Sequence, residues 1–232
     1  THDIPDGEKI DELQSFLQNF GIYLKINREE LHPMEVQKLL TKIEGTPEEP
    51  LISRLTLRSM KQAKYTVQCS LHFGLSTRYY CHFTSPIRRY PDLQIHRIIK
   101  ENLHGKFTPK RFTHYEEILP QVADHTSKME RRAEETEREV EKLKKAEYME
   151  RRIGEVHEGI ISSITSWGVY VELPNTVEGM IHVSKLPGDF YYYDENTYSM
   201  VGERTGRQFK LGEHVKIRVA DVDMLLKNID FD

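Results

Sequence analysis

The hydrophobic pattern of the chain changes at Gly154. Before this residue, apolar positions recur every three or four residues, which is the spacing of amphipathic helices. After it, β-branched residues alternate with polar ones, and glycines break the runs at regular intervals, as in short strands closed into a small barrel. The pattern predicts two domains, a mostly helical one over residues 1–153 and a β-barrel over residues 154–232.

Residues 1–111 are predicted to form several short helices. Prolines stand near the expected starts of three of them, and glycines follow the expected ends. The expected starts are Pro5–Asp6, Pro33 and about Pro50, and the expected stops include Gly21, Gly45 and Gly105. The segment between Tyr65 and Phe83 is rich in Tyr, Phe and Cys, and we expect it to be irregular and partly buried.

A single long helix is predicted over about residues 126–152. Ser127-x-x-Glu130 is a capping-box pattern, which would place the start of the helix there. A narrow apolar stripe then recurs at spacings of four and three: Met129, Ala133, Thr136, Val140 and Leu143. One reading is a solvated helix that packs by one edge, and the other is a coiled-coil dimer. The stripe covers too few heptads to favour the dimer.

Composition limits the class of protein. Of the 232 residues, 38% are hydrophobic and 30% are charged, which favours long exposed helices or a partner surface. No apolar run is long enough for a transmembrane helix, and there is no secretory signal. The first residue is not Met, so we expect the chain to begin inside a longer protein. Two cysteines, Cys69 and Cys81, fit a reducing cytoplasm, and their spacing to nearby histidines matches no common zinc pattern.

Residues 51–111 form a strongly basic segment in an otherwise acidic chain. This segment has twelve lysines and arginines against two acidic residues, Asp92 and Glu101, whereas the whole chain has a formal net charge of −4. A local positive excess of this size can attract a polyanion. A solvated basic face without a ligand explains the charge equally well.

The stretch around Arg88 and Arg89 narrows these two readings. Thr84-Ser85-Pro86 is a helix-start signal, which would place both arginines in a first helical turn. Free amide groups and the helix dipole favour an anion there, and guanidinium groups bind phosphate oxygens in pairs. Pro91 would end that helix after one turn or start it again. The stretch is therefore predicted to bind a phosphodiester.

Two motifs carry a resemblance to a known family. His72-Phe-Gly-Leu75, followed by His82-Phe-Thr-Ser-Pro-Ile-Arg-Arg-Tyr-Pro-Asp-Leu-x-x-His-Arg97, closely resembles the C-terminal half of the catalytic domain of the RNase R/RNase II (RNB) exoribonucleases. The long helix continues the match in Glu130–Ala133 and Arg138–Val140. The barrel resembles the OB-fold RNA-binding module of the ribosomal protein S-one type. The implied fold class is α+β, with a mostly helical RNB portion and a five-stranded OB-fold barrel.

The resemblance implies a mechanism and a substrate. Members of the family hydrolyse single-stranded RNA processively from its 3′ end and release nucleoside 5′-monophosphates, using two Mg²⁺ ions held by aspartates. It implies that Arg88 contacts the phosphates of the scissile bond, with Arg89, Thr84, Ser85 and His72 among the RNA-binding residues. Glu137 on the long helix is the best-aligned candidate for an assisting glutamate. A plain surface charge is the alternative for Glu137.

The barrel also has expected RNA-binding residues. In OB-type modules exposed aromatic residues stack on bases while polar residues follow the backbone. The resemblance assigns RNA-facing positions to Trp167, Tyr170 and His182, and a polar pair on the last strand to Asp223 and Lys227. The alternative for Trp167 or Tyr170 is that the ring fills the barrel core.

One departure from the family pattern changes the expected activity. The metal site of the family needs aspartates spaced roughly as Asp-x5-Asp-x-Asp-Asp, and this sequence has no such run. We therefore expect the Mg²⁺ ligands to lie outside this chain and the chain alone to be inactive. Three hypotheses remain: a portion of a monomeric exoribonuclease, a non-catalytic fragment that binds single-stranded RNA, and an assembly protein that dimerises through residues 126–152.

Overall fold

The computed structural model describes residues 1–25, 31–46 and 48–232. Within these ranges the chain forms five α-helices followed by eight β-strands. The helices are α1 (Gly7–Gln18), α2 (Pro33–Ile43), α3 (Glu49–Ser59), α4 (Tyr90–Leu103) and α5 (Pro109–Glu150). The strands are β1 (Val156–Thr165), β2 (Gly168–Glu172), β3 (Glu178–His182), β4 (Tyr191–Asp194), β5 (Ser199–Gly202), β6 (Gln208–Phe209), β7 (His214–Asp223) and β8 (Asn228–Phe231).

The chain divides into two compact units. The first contains residues 1–41 and 56–135, and the second contains residues 42–55 and 136–232. The α+β class with a helical part followed by a barrel is confirmed. Gly154, where the hydrophobic pattern changes, lies between the end of α5 and the start of β1.

The short helices of the first unit form where the periodicity predicts them. In α1 the buried residues Ile10, Leu13 and Leu17 lie on one face, three and four positions apart. Ile10 packs with Leu31 and Phe73 in a small core. The helix ends at Gln18, and Gly21 then adopts a left-handed backbone with φ of 65°, which glycine tolerates best.

The long helix begins earlier than the sequence predicts. It starts at Pro109 rather than near residue 126, and Pro120 lies inside it. The predicted capping box is wrong, because the Ser127 hydroxyl donates to the carbonyl of Ala123 at 2.8 Å within the helix. Hydroxyl side chains can bond the preceding turn as well as cap a helix, so the motif alone does not mark a start. No helix in the described residues is both long enough and apolar enough to cross a membrane.

The helix start predicted at Thr84-Ser85-Pro86 is also wrong. Residues 86–88 form a turn, and α4 begins only at Tyr90, with Pro91 in its first turn. Proline fits this position because its missing amide would be unpaired in any helix. Pro91 thus lies in the first turn of the helix, and Arg88 and Arg89 lie just before the helix.

Five strands of the second unit close into a barrel in the order β1-β2-β3-β8-β7. The neighbours pair antiparallel except β3 and β8, which run parallel through Met180 and Asp230. The inward side chains of the strands build the core, among them Val169, Val171, Ile217, Val219 and Phe231. Met149 of α5 packs into the same core. A Cβ at Gly179 would lie 2.5 Å from the Phe231 ring, so only glycine fits this position. The predicted five-stranded barrel is confirmed.

A second sheet between β3 and β7 was not predicted. It has three antiparallel strands in the order β4-β5-β6. Met200 and Phe209 are buried in the barrel's hydrophobic cluster, whereas Phe190 and Tyr192 are exposed. The Asp189 carboxylate fixes the loop before β6, because it accepts hydrogen bonds from the hydroxyl and the amide of Thr205. These bonds, together with backbone amides, lower the pKa of Asp189 to about 2.

Candidate nucleic-acid interface

The turn over residues 85–88 is built around two hydrogen-bond acceptors. The carbonyl of Ser85 accepts the amides of Arg88 at 3.3 Å and of Arg89 at 3.0 Å. The amide of Ser85 in turn donates to Oδ1 of Asp92 at 2.8 Å. Asp92 lies in the first turn of α4 and is fully buried. The turn is therefore attached to the start of α4 by a backbone-to-carboxylate bond.

The two adjacent arginines have different surroundings. The guanidinium of Arg89 donates to Oδ1 of Asp92 at 2.9 Å, and only 19% of its side chain is exposed. Arg88 is exposed, and its side chain makes no hydrogen bond or ion pair with the described residues. The structure therefore separates the pair into one arginine that holds the turn and one that faces solvent.

The Asp92 carboxylate stays ionised although it is buried. Burial by itself raises the pKa of a carboxylate, because the charged form loses water. The Ser85 amide and the Arg89 guanidinium more than offset this effect, so the net pKa of Asp92 lies below its ordinary value. Thr84, also predicted to bind RNA, is exposed, and Ser85 is half-buried.

His72 belongs to a chain of aromatic contacts in the first unit. Its ring lies 5.0 Å from that of Tyr80 and 5.4 Å from that of His2, and its Nδ1 accepts the amide of Leu75. The ring of Tyr80 lies 5.8 Å from that of His82. His72, Tyr80 and His82 line a cavity of about 330 Å³. Burial lowers the pKa of both His72 and His82.

Tyr65 and Glu130 extend this cluster, and the sequence did not single them out as site residues. The Tyr65 hydroxyl lies 2.8 Å from Nδ1 of His82 and donates to Oε1 of Glu130 at 3.2 Å. A hydroxyl has only one hydrogen to donate. If the Tyr65 hydroxyl donates it to Glu130, the same hydroxyl oxygen accepts a hydrogen bond from the N–H at Nδ1 of His82. Burial and the nearby Glu130 raise the pKa of Tyr65. The motif around Glu130 was visible, but its partner Tyr65 lies 65 positions away.

Part of the predicted positive charge is neutralised inside the first unit. Lys64 pairs with Asp3 at 2.6 Å and Lys61 with Asp6 at 2.5 Å, so the acidic start of the chain lies against the basic segment. Arg111 pairs with Glu101. With Arg89 bound to Asp92, four of the twelve cations of residues 51–111 have a carboxylate partner within the described part of the chain. Arg88 is one of the cations that remain available to an anion.

Trp167 and Tyr170 lie on the outside of the barrel. Trp167, in the turn between β1 and β2, is 70% exposed, and its carbonyl accepts the amide of Val183 at 2.9 Å. Tyr170 is half-buried and alternates along β2 with the buried Val169 and Val171. The alternative that either ring fills the barrel core is therefore wrong.

His182 and Met180 share the outer face with Tyr170. In the β2–β3 register, Tyr170 stands opposite Met180, and His182 stands opposite Gly168. Nδ1 of His182 lies 2.8 Å from the hydroxyl of Ser184, which orients the imidazole. Trp167, Tyr170, Met180 and His182 thus lie on the outer side of the barrel, on β2, β3 and the turn that precedes β2. We call these four residues the barrel face.

Asp223 and Lys227 do not form the predicted polar pair on the last strand. Asp223 ends β7, and its Oδ1 accepts the amides of Leu225 and Leu226 in the hairpin turn. Lys227 lies just before β8, and its Nζ binds Oε2 of Glu139 on α5 at 2.5 Å. Each residue therefore has a separate partner, and three positions of the turn lie between them.

A cleft of about 500 Å³ lies within the second unit, between α5 and the barrel face. Tyr170 and Met180 line it from the barrel, and Arg138, Lys142 and Lys145 line it from the helix. Glu137, the candidate assisting glutamate, lies on the same helix. It is exposed and has no side-chain partner among the described residues.

The described residues do not fit the two Mg²⁺ ions that the resemblance implies. Within residues 1–25, 31–46 and 48–232 no group of three or more His, Cys, Asp or Glu side chains is placed to hold a metal ion. Cys69 and Cys81 are exposed free thiols. The first unit offers a cation on a fixed turn, and the second unit, taken by itself, offers an aromatic surface.

Comparison with known proteins identifies both parts of the chain. The model of the RNB domain matches residues 1–105, and that of the S1 RNA binding domain matches residues 150–232. Ribonuclease R 1 of Lactococcus lactis is 43% identical over 231 residues, which cover 100% of this chain and 28% of the relative. Ribonuclease R of Thermotoga maritima is 42% identical over 100% of this chain and 33% of its own length. The chain thus spans about a third of these relatives.

Solved structures agree with this match. RNase R of Mycoplasma genitalium, in complex with ribose methylated single-stranded RNA, superimposes with a TM-score of 0.86 at 25% identity, covering 100% of this chain and 36% of that one. Its apo form gives the same values. The two domain matches, the relatives and the shared fold lead to one conclusion. This chain has a match to the RNB domain followed by an S1 RNA-binding domain, and over its whole length it is similar to part of ribonuclease R.

Proposed function

We propose that this chain is the RNA-holding portion of a processive hydrolytic exoribonuclease. The whole protein would degrade single-stranded RNA from its 3′ end to nucleoside 5′-monophosphates in the cytoplasm. The observation that carries the proposal is the exposed Arg88 on a turn that the buried Asp92 holds. Such a guanidinium can donate two parallel hydrogen bonds to a phosphate without rearranging the backbone. The similarity to ribonuclease R supports a phosphodiester as its ligand.

Each part of the interface has a role in this proposal. Arg88 binds a phosphate close to the scissile bond, with the hydroxyls of Thr84 and Ser85 beside it. The barrel face stacks on bases further along the strand. Glu137 assists near the reacting phosphate. Mg²⁺ is the proposed cofactor of the whole protein, with ligands outside this chain, because the described residues include no group of three or more His, Cys, Asp or Glu side chains placed to hold a metal ion.

A second candidate function is RNA binding without catalysis. The missing metal-binding cluster in the described residues favours it. The fold is also compatible with it, because yeast Ssd1, described as a pseudonuclease, has a similar fold with a TM-score of 0.62 at 22% identity over 86% of this chain. The two candidates agree on RNA binding and differ in whether a complete protein hydrolyses the RNA.

Fluorescence anisotropy with a labelled single-stranded oligoadenylate tests the shared part of the proposal. We expect Arg88→Ala to weaken binding about tenfold, the worth of a charge-assisted hydrogen bond to phosphate. Lys106→Ala is the matched control, because it removes an exposed cation from the same basic segment. If both variants lose the same small part of the RNA affinity, the basic segment is only a diffuse positive surface, and the proposed role of Arg88 is wrong.

Product analysis with Mg²⁺ separates the two candidates. We expect the chain alone to release no mononucleotides from labelled RNA, and the protein extended to the length of its relatives to release them. Release by the chain alone would contradict the expected inactivity. An extended protein that binds RNA but releases nothing would favour the non-catalytic function.

We also propose that the chain is a monomer. Met129 and Val140 of the predicted stripe on α5 are 41% and 52% exposed, so the stripe offers some apolar surface to a second copy. The remaining surface of this helix is dense in Glu, Lys and Arg, which favours solvent. Light scattering after gel filtration should give the chain mass of 27.3 kDa. A dimer mass that falls on substitution of Val140 by Glu would favour the assembly hypothesis instead.

A further inference from the structure

A fully buried carboxylate lies behind the exposed Arg88. Asp92 has no exposed surface, and its Oδ1 accepts both the amide of Ser85 and the guanidinium of Arg89. Aspartate is rarely buried to this degree, because removing its charge from water is costly unless partners compensate. A hydrophobic residue would fill the same place at lower cost. The burial of this charge therefore calls for a role beyond packing.

The contacts of Asp92 show what that role can be. Its bond to the Ser85 amide joins the first residue of the turn to α4, and its pair with Arg89 joins the residue after the turn to the same carboxylate. Arg88 lies between these two attachment points and has no side-chain partner among the described residues. Its backbone amide is bonded to the Ser85 carbonyl. The direction in which Arg88 leaves the backbone is thus fixed by a group that does not touch it.

We propose that Asp92 is a positioning residue for Arg88, and this inference rests on the proposed function of Arg88. The carboxylate holds the turn and also engages Arg89, so that one arginine alone faces the RNA phosphate. A preformed turn spares the binding step the entropy of ordering the backbone. Loss of Asp92 leaves the Ser85 amide without its acceptor and Arg89 without its counter-charge. Arg89 could then compete with Arg88 for the phosphate, and the turn would have to be ordered at each binding event.

A double-mutant cycle distinguishes positioning from general stability. The four proteins are the unmodified chain, Asp92→Ala, Arg88→Ala and the double variant, measured for affinity to labelled oligoadenylate. If Asp92 acts through Arg88, each single variant loses affinity, about tenfold for Arg88→Ala. The double variant is then no weaker than Arg88→Ala. Additive losses would overturn the inference.

A stability control and a second variant keep the test decisive. Gln94, also buried on α4, is changed to Ala, which should lower the melting temperature without coupling to Arg88→Ala. Asp92→Asn keeps the volume and an acceptor for the Ser85 amide, so the same cycle can be run if Asp92→Ala does not fold. We expect Asp92→Asn to lose less affinity than Asp92→Ala and still to be non-additive with Arg88→Ala.

The two proposals fail in different ways. If Arg88→Ala binds RNA as well as the unmodified chain, the proposed function of Arg88 is wrong, and the role of Asp92 falls with it. If Arg88→Ala weakens binding but the losses from Arg88 and Asp92 add, only the positioning role is wrong. Coupling of Gln94→Ala as strong as that of Asp92→Ala would also overturn it, because any loss of stability would then produce the effect.

Discussion

Nζ of Lys227 lies 2.5 Å from Oε2 of Glu139, so a cation expected to contact RNA already has a carboxylate partner. Glu139 also accepts from Lys142 at 3.3 Å, and these cations lower its pKa. A carboxylate and a phosphate oxygen offer a lysine the same kind of acceptor. An RNA phosphate that reaches Lys227 therefore meets the negative charge of Glu139 beside it, and this repulsion offsets part of the gain from the new contact.

Removal of the competing carboxylate should strengthen RNA binding. Glu139→Gln keeps the shape of the side chain and frees Lys227, and since exposed ion pairs are weak, the gain in affinity should be no more than about fivefold. Fluorescence anisotropy at low salt measures it. Glu141→Gln is the control, because it removes the same charge from the same cleft without a bond to Lys227. Equal gains in both variants would show that only the overall charge matters.

The exposed rings of the barrel face should contribute to RNA affinity through stacking. We expect Trp167→Ala and Tyr170→Ala each to weaken binding to single-stranded RNA by about 1–3 kcal/mol. Because Trp167 is 70% exposed, its removal should leave the melting temperature nearly unchanged. Tyr192→Ala removes a half-exposed ring from the sheet β4-β5-β6 and serves as the control. Unchanged affinity in both barrel variants would exclude the barrel face from binding.

The stability of the chain should fall in mild acid. Burial lowers the folded-state pKa of His72 and His82 below the ordinary value of 6.5. Just below pH 6.5 the unfolded chain therefore binds more protons at these two residues than the folded chain does. The free energy of unfolding is therefore unaffected by these histidines above about pH 6.5, and it decreases as the pH falls from there through the lowered pKa values. Melting temperatures measured between neutral and mildly acidic pH should show this loss.

Substitution of the half-buried imidazole of His82 should reduce that pH dependence. His82→Gln removes one titrating group from the cluster with Tyr65 and Tyr80, so its melting temperature should fall less between neutral pH and mild acid. His104→Gln, at an exposed position after α4, is the control and should follow the unmodified chain. A His82→Gln variant with the full acid sensitivity would assign the effect to other groups.

The barrel should not tolerate a side chain at Gly179. A Cβ there would lie 2.5–2.8 Å from three atoms of the fully buried Phe231 ring, which has no space to move. We expect Gly179→Ala to lower the free energy of unfolding by about 1–3 kcal/mol, the usual cost of overpacking. Urea titration measures the loss. Gly7→Ala, where a Cβ meets nothing within 4 Å, is the control and should lower the free energy of unfolding by less than the error of the titration.

Local sequence patterns predicted the secondary structure of this chain well, but they predicted few of the contacts between distant residues. The alternation in β1, β2 and β7 and the periodicity of α1 are properties of neighbouring residues, so they can be read from the sequence. The start of α5 could not be read from the sequence, because the Ser127 hydroxyl can either cap a helix or donate to the carbonyl of Ala123 inside one. The parallel pairing of β3 with β8 depends on residues 50 positions apart.

The candidate site shows the same division. The phosphate-binding character of Arg88 and Arg89 is visible in the sequence, but the two residues are of one type and adjacent, so nothing local separates their roles. Their roles differ because the buried carboxylate of Asp92 binds Arg89 and not Arg88. The pair of Lys227 and Glu139 joins positions 88 apart, and no sequence spacing predicts it.

The order of the strands also affects how the barrel forms during synthesis. β8 is made after the other strands of the barrel, yet it lies between β3 and β7, and Phe231 fills the barrel core. The barrel therefore cannot close until residues 228–231 have left the ribosome. Until then β3 and β7 each expose an unpaired edge, which can pair with other chains. A product truncated before β8 would keep these open edges, so we expect it to be a target for proteases and chaperones.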